Sequence, residues 1–289
     1  MKAVVTLLRF HWGYSIRTGW GSAIQRSYLG IPPTTLLGAI LSAYGYLNAS
    51  ASREMDYDSK LIGALKHVSE LGILWATSAI LDMPVRSGIK IAFFTGPYQS
   101  WRTRARDIPQ SVHRFLSSVR QLFNLISVDY ASYYDGRALA LYVVRDEYVD
   151  KVADLACSIT RIGSKESIVW VEDVVIANLK PLESGVARTL FALPKQFASR
   201  LSGLYVVESL PFPINVSEFS TWFSLDPSTD RYAIIRECVV PLYPIGVRVE
   251  EVSSDAIAMR IEPSKSVMES SYATSILEKF NAIVVPKGA

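Results

Sequence analysis

The side chains best suited to hold an anion lie in a basic, glycine-rich segment that runs directly into a predicted helix. This segment contains Arg17 and Arg26, and Thr34 and Thr35 follow two prolines at its end. Proline and threonine favour a helix start, and the apolar spacing behind them predicts a helix that continues to Leu47. Backbone N–H groups at a helix start, preceded by a positive loop, favour phosphate. An ordinary capped helix behind a surface loop has the same pattern, so both interpretations stay open at this point.

Positive charge is concentrated in two stretches of the chain. Residues 1–53 hold five Lys or Arg side chains and no acid, and residues 84–130 hold seven against two acids, although the whole chain has a net charge of only +3. Segregated positive charge is typical of proteins that bind polyanions, nucleic acid above all. Tryptophan and tyrosine residues are interleaved with the arginines, which favours single-stranded nucleic acid because bases stack on rings. A solvated basic face is the alternative interpretation.

The sequence has no motif for a metal site, for nucleotide binding or for a catalytic nucleophile. The three histidines are far apart and have no metal-ligand spacing, and phosphate-loop, dinucleotide and nucleophile-elbow motifs do not occur. The adjacent acids Glu172 and Asp173 lie in a predicted strand, where neighbouring side chains face opposite sides and cannot form a dyad. We therefore predict no cofactor, no metal site and no catalytic residue. A metal-independent ribonuclease that uses a histidine, Lys165 and a tyrosine stays an alternative.

Composition indicates a folded protein in a reducing compartment. The 289 residues are 49% hydrophobic and 20% charged, which suits one large domain or two modest ones. The chain has 2 cysteines and no disulfide framework. Its apolar N-terminal run is too short for a signal peptide or a membrane-spanning helix. We expect a cytoplasmic protein without a membrane partner.

The elements that position the candidate residues are predicted in the order β-α-β-β-α-β over residues 1–177. This is the order of the ferredoxin-like fold, which the RNA-recognition motif shares. The basic stretch at about 84–130 is an insertion between the second and third strands, hereafter the thumb. Asp135 and Gly136, between two strand-like runs, predict a hairpin. The predicted strands and helices cover residues 3–10, 33–47, 73–81, 137–144, 146–157 and 168–176.

The remaining residues, 178–289, have a different texture. Prolines separate short apolar runs, and no long helical pattern occurs before a final one at 270–280. This pattern predicts a β-rich C-terminal domain. The predicted fold class is therefore α+β, with a ferredoxin-like (RRM-like) N-terminal domain that carries the thumb and a β-rich C-terminal region.

Two segments resemble the fifth family of CRISPR-associated proteins. IPPTTLLGAILSAYG, at residues 31–45, is similar to that family's proline-proline-threonine-threonine-leucine-glycine-alanine segment. RIGSKESIVWVEDV, at residues 161–174, is similar to its glycine turn before the fourth ferredoxin-like strand. Their places in the predicted fold, and the place of the thumb, also match. The resemblance covers residues 1–177 and is closest to archaeal, type I-A-like members of this RAMP superfamily.

The resemblance implies a non-catalytic subunit of a Cascade surveillance complex in antiviral defence. Such a subunit caps the 5′ handle of the CRISPR RNA, and its thumb lies over that RNA beside the backbone subunits of the seventh family, with the large subunit as a further partner. One branch of the family cleaves the repeat with a tyrosine, a lysine and a histidine. These three residues have no matching motif here, so an endoribonuclease that processes repeat RNA is an alternative. A scaffold that docks proteins is a second alternative.

The predicted RNA-binding residues fall in three groups. The helix start and its basic loop hold handle phosphates, the glycine turn approaches the backbone or a base edge, and the thumb clamps the strand. Each arginine could instead be an ordinary solvated surface charge without a binding role. The predicted residues are Arg17, Arg26, Thr34, Thr35, Arg86, Lys90, Arg102, Arg104, Arg106, Arg161, Gly163, Ser164 and Lys165.

Overall fold

The structure is a computed structural model with an α+β architecture in which strands predominate. It describes residues 1–11, 13–14, 16, 27–47, 70–82, 85–93, 125–132, 136–163, 167–183, 186–215, 218 and 231–288. No helix in these ranges is long and apolar enough to cross a membrane.

The first part of the chain forms the elements that the sequence predicts. Each predicted strand and helix in the described ranges is present with nearly the predicted bounds, because each has its own hydrophobic period and its own stop signal. In chain order the elements are β1 (Lys2–Phe10), α1 (Pro33–Leu47), β2 (Ile73–Ile80), β3 (Val85–Phe93), β4 (Leu125–Ser132), β5 (Arg137–Val144), α2 (Val149–Cys157) and β6 (Val169–Pro181).

The second part of the chain is β-rich, as predicted. The final helix is also present, and the Ser270 side chain caps it by accepting a hydrogen bond from the Tyr272 amide. The elements are β7 (Ala187–Thr189), β8 (Leu193–Pro194), β9 (Ala198–Gly203), β10 (Tyr205–Pro211), β11 (Ile235–Pro241), β12 (Val247–Val252), β13 (Ala256–Ser266), α3 (Ser271–Lys279) and β14 (Ala282–Pro286).

A six-stranded sheet forms the centre of the protein. Its strand order is β14-β13-β6-β1-β5-β2, and every neighbouring pair is antiparallel. The predicted domain boundary at residue 177 lies within β6, and β13 and β14 continue the sheet beyond that strand. Residues on both sides of the predicted boundary therefore share one sheet. Two three-stranded sheets, β10-β11-β8 and β7-β12-β9, complete the C-terminal part.

Both faces of the central sheet are covered. α1 and α2 pack on one face and against each other, and the hydroxyl of Tyr142 on β5 donates to the Leu36 carbonyl of α1 at 3.1 Å. C-terminal residues cover the opposite face, where the Thr77 hydroxyl on β2 donates to the Ala192 carbonyl at 2.6 Å. Because neither face is open along most of its length, β1 and β5 are buried almost throughout and do not alternate.

The predicted hairpin at Asp135 and Gly136 is wrong. β4 pairs with β3 in a separate two-stranded sheet, and β5 pairs with β1 and β2. The Gly136 carbonyl already accepts a hydrogen bond from the Phe10 amide at 2.8 Å, so the chain before β5 continues the β1 ladder. With both of its edges occupied, β5 has no edge left for β4. The β3–β4 pair stands where the sequence predicts the thumb.

Candidate nucleic-acid interface

The start of α1 places its two threonines differently. Thr34 is buried, with 4% of its surface exposed, whereas Thr35 is half-buried. The amides of Thr35 and Leu36 both donate to the Pro32 carbonyl, at 2.9 and 3.2 Å. These two N–H groups are therefore engaged within the helix start. The RNA contacts of Thr34 and Thr35 stay predictions.

An anion does occupy the loop before α1, and it belongs to the protein itself. The Glu208 carboxylate on β10 accepts hydrogen bonds from the Leu29 amide at 2.8 and 3.0 Å and from the Gly30 amide at 2.9 Å. A side chain at Gly30 would meet Val240 at 3.0 Å, so glycine permits this close approach of the loop to β11. Burial, with Glu208 as the smaller cause, raises the pKa of Tyr28 to about 12. Phosphate binding by this loop stays a prediction, and no signal in the sequence indicated that the Glu208 carboxylate contacts the loop amides.

Most of the predicted basic residues lie outside the described residues. For two others, only the position in a strand is described. Ile16, just before Arg17, makes two hydrogen bonds to the residues that follow Arg26: its amide donates to the Ser27 hydroxyl at 3.0 Å, and its carbonyl accepts from the Tyr28 amide at 2.8 Å. Arg86 and Lys90 belong to β3, at register positions opposite Ala131 and Val128 of β4. The predicted residues outside the described ranges are Arg17, Arg26, Arg102, Arg104, Arg106, Ser164 and Lys165.

The glycine turn lies beside the end of β1. Arg161 and Ile168 form an isolated antiparallel bridge, and the Ile162 amide donates to the Ser167 carbonyl at 3.1 Å. The His11 amide, just past β1, donates to the Ile168 carbonyl at 3.2 Å. Gly163 has a φ of 89°, which favours glycine, and both Gly163 and Arg161 are exposed. The turn therefore presents exposed backbone and one guanidinium at this end of the sheet.

Three residues on adjacent strands form a row next to this turn. Arg9 on β1 lies opposite Arg137 on β5 and opposite Trp170 on β6. Paired positions on neighbouring strands project to the same face. Side chains alternate between the two faces along a strand, and Arg137 is an odd number of positions, five, from Tyr142, which contacts α1. The row therefore lies on the face opposite α1 and α2. The Arg9 guanidinium lies over the Trp170 ring, 5.2 Å from its centroid, and the His11 ring contacts the same indole at 5.9 Å.

One carboxylate joins the two arginines. Glu172 accepts from Arg9 Nη1 at 3.3 Å and from Arg137 Nε and Nη2 at 2.6 and 3.2 Å. The register between β1 and β6 shifts between Leu7 and Leu8, so one extra residue of β6 lies there. The strict alternation that predicts opposite faces for Glu172 and Asp173 does not apply at this bulge. Glu172 binds the two arginines, whereas Asp173 accepts from the Ser266 hydroxyl at 2.9 Å and from the Met268 amide at 3.1 Å.

Tyr272 on α3 completes the row at its far end. The Arg137 guanidinium lies 5.1 Å from the centroid of the Tyr272 ring. Burial raises the pKa of Tyr272, although Arg137 lowers it, so the ring is a neutral phenol at physiological pH. We call Trp170, Arg9, Arg137 and Tyr272, in this spatial order, the arginine–aromatic row.

The arginine–aromatic row was not predicted from the sequence. Arg9 and Trp170 are distant in the chain, and only the strand pairing brings them together. Asp82 is a second nearby acid, and its carboxylate accepts the Arg137 backbone N–H at 2.6 Å. Across the described part of the chain, no group of three His, Cys, Asp or Glu side chains is arranged to hold a metal ion. The groups that this end of the sheet can present to a ligand are therefore guanidinium cations and aromatic rings.

Comparison with known proteins gives two curated relatives. The chain is 27% identical over 188 residues to CRISPR-associated protein Cas5 3 of Saccharolobus solfataricus, a match that covers 64% of this chain and 68% of the relative. It is 24% identical over 208 residues to CRISPR-associated protein Cas5 2 of the same organism, with 72% and 73% covered. No protein-family model matches the chain.

A solved structure has a similar fold. The crystal structure of a CRISPR protein from Archaeoglobus fulgidus superposes with a TM-score of 0.51, covering 91% of this chain and all of that protein at 19% identity. At this identity the likeness concerns the fold alone. It agrees with the α+β, strand-rich architecture described above.

Proposed function

Since the chain is a Cas5-like CRISPR-associated protein, we propose that it is a non-catalytic subunit of a CRISPR effector complex of the Cascade type. In this proposal it binds and caps the 5′ handle of the CRISPR RNA in antiviral defence. Strands β6, β1, β5 and β2 with α1 and α2 serve as the ferredoxin-like, RNA-binding domain of a RAMP protein. The expected partners are the CRISPR RNA, backbone subunits of the seventh family and the large subunit, in an archaeal cytoplasm.

The observation that supports this proposal best is the grouping of three arginines beside the Gly163 turn. Arg9, Arg137 and Arg161 lie at one end of the sheet, where Glu172 and Asp82 are the neighbouring acids of the described residues. The Asp82 carboxylate is engaged by a backbone N–H, and Glu172 is shared by two guanidiniums. Positive charge on planar guanidiniums suits phosphate oxygens, which accept paired N–H bonds. Exposed glycine backbone beside it allows a polynucleotide to approach closely.

In the proposal, predicted residues in the rest of the chain add further contacts to the RNA. Arg17 and Arg26 contact phosphates from the loop before α1, and the arginines and lysine of the thumb clamp the strand from above. Ser164 and Lys165 donate from the glycine turn. A subunit that neutralises several phosphates must lose affinity steeply as salt rises. A scaffold that docks only proteins would show a shallow salt dependence of RNA binding.

The test uses purified protein and end-labelled CRISPR repeat RNA in EDTA, run on native and denaturing gels in parallel. We expect a shifted band with intact RNA, and loss of the shift when the handle sequence is scrambled. Arg9→Gln and Arg137→Gln weaken the shift, whereas Arg200→Gln, which removes an exposed arginine paired with Glu250 on another sheet, leaves it unchanged. A discrete cleavage product would support the endoribonuclease alternative. Absence of both shift and product would contradict RNA binding by this chain.

A further inference from the structure

The arginine–aromatic row has an aromatic ring at each end that the fold leaves open. Trp170 is 42% exposed and Tyr272 is 38% exposed. Rings of this size are mostly buried in folded proteins and contribute their apolar area to a core. Each ring here instead faces solvent on part of its surface and meets a half-exposed guanidinium on another part. Packing alone does not require this arrangement.

We propose that Trp170 and Tyr272 are stacking platforms for unpaired bases of the bound RNA, and that Arg9 and Arg137 hold the phosphate between those bases. This inference rests on the proposed RNA-binding function and adds the part of the RNA that the row takes. Single-stranded bases stack on aromatic rings and on guanidinium planes, and their phosphates pair with guanidinium N–H groups.

The row is built on rigid elements, as a binding site requires. Three of its members stand on the adjacent strands β6, β1 and β5, and neighbouring strands are about 4.8 Å apart, so these three span roughly 10 Å. Glu172 fixes the positions of the two guanidiniums through three N–H···O contacts. Tyr272 stands in the first turn of a capped helix. Little side-chain freedom is lost when a ligand binds to such a preorganised group.

The order of the side chains favours a polynucleotide over a protein partner. A protein-docking patch usually has few charged groups at its centre and a polar rim. This row has the reverse order: two guanidiniums in its middle, which keep a net positive charge beside the single Glu172 carboxylate, and an aromatic ring at each end. A strand of RNA alternates a phosphate with flat bases, which is the complementary order.

The test measures the affinity of single-stranded CRISPR repeat RNA for the full chain by fluorescence anisotropy. Trp170→Leu keeps apolar bulk and removes the ring, whereas Trp170→Phe keeps a ring. We expect the leucine variant to bind about 5- to 150-fold more weakly and the phenylalanine variant to bind nearly as well as the wild type. Tyr272→Ala also weakens binding. The matched control is Tyr205→Ala, since Tyr205 on β10 is 37% exposed and is not part of the row; that variant binds like the wild type.

Two further readouts separate stacking from phosphate contact. The salt slope of binding stays unchanged in Trp170→Leu, because no phosphate contact is lost, whereas Arg9→Gln lowers it by about 1. The wild type and Trp170→Leu are then each titrated with a set of RNAs in which one nucleotide has lost its base but keeps its sugar and phosphate. The loss caused by Trp170→Leu disappears with the RNA that lacks the stacked base, which a general folding defect cannot reproduce. Circular dichroism and urea unfolding check that each variant is folded.

The outcomes distinguish failure of the stacking proposal alone from failure of the proposed function. If the wild type binds RNA and Trp170→Leu binds equally well, stacking is refuted and the RNA-binding function stands. If Trp170→Leu binds RNA normally and no longer co-purifies with co-expressed complex subunits, the row is a protein contact and the inference is wrong. If the wild type binds no RNA, the proposed function fails, and the stacking proposal fails with it.

Discussion

Removing the Glu208 carboxylate should destabilise the protein, because this side chain holds the loop that leads into α1. In the structure this carboxylate accepts three hydrogen bonds from the amides of Leu29 and Gly30, in the loop that leads into α1. Gly30 is buried and Leu29 is half-buried, so water replaces the carboxylate poorly. In Glu208→Ala, both amides lose their acceptor.

The size of the effect follows from those two amides. A buried donor left without a partner costs about 1–3 kcal/mol. Because Leu29 is only half-buried, we expect Glu208→Ala to lower the free energy of unfolding by about 2–4 kcal/mol. Glu208→Gln retains one oxygen as an acceptor but loses the charge, and its expected cost is about 1 kcal/mol.

Urea unfolding followed by circular dichroism measures these differences, with the slope of the free energy against urea checked for two-state behaviour. Glu237→Ala is the matched control, because Glu237 lies opposite Ser209 in the same sheet and pairs with Lys195 on the exposed surface. Such a surface pair contributes at most about 1 kcal/mol. If Glu208→Ala costs no more than Glu237→Ala, the carboxylate does not hold the loop and our reasoning is wrong.

Three further predictions concern the core. Asp173→Ala removes a buried acceptor of the Ser266 hydroxyl and the Met268 amide; it should lower the free energy of unfolding in urea by about 3 kcal/mol, and a cost near zero would contradict this. Tyr142→Phe removes one buried hydrogen bond and should cost about 1 kcal/mol in the same assay. Burial raises the pKa of Cys238 to about 12, whereas an unfolded thiol ionises near 8.5, so stability falls by up to about 1.4 kcal/mol per pH unit between those values. Cys238→Ala should show a correspondingly shallower decline, and equal declines would refute this.

Elements with local signals were predicted well. α1 begins at Pro33, and its start is marked by residues that lie next to one another in the sequence. The final helix begins one residue after Ser270, which caps it. Strand pairing depends on which edges are free, and that is not a local property. The Asp135–Gly136 turn signal was therefore outcompeted, because the edges of β5 are occupied by β1 and β2.

The candidate site was predicted only in part, for the same reason. Resemblance identified Arg161 and Gly163, which the structure places at the end of β1. Arg9, Arg137 and Trp170 were missed, although the predicted order of elements contained the signal. If the last predicted strand and the third flank the first in an antiparallel sheet, the end of the first strand meets the starts of the other two. The three residues occupy those positions, so a register argument could have found them.

The bulge in β6 explains how one strand can serve both the core and the surface. Strict alternation would project Glu172 and Asp173 to opposite faces, and the extra residue between the Leu7 and Leu8 register positions removes that constraint. Glu172 then reaches both arginines, while Asp173 stays buried against the segment that leads into α3. α3 in turn supplies Tyr272 to the arginine–aromatic row. The same bulge therefore sets the charge in the middle of the row and anchors the helix that carries its last ring, so a deletion that restores regular pairing in β6 should disturb both.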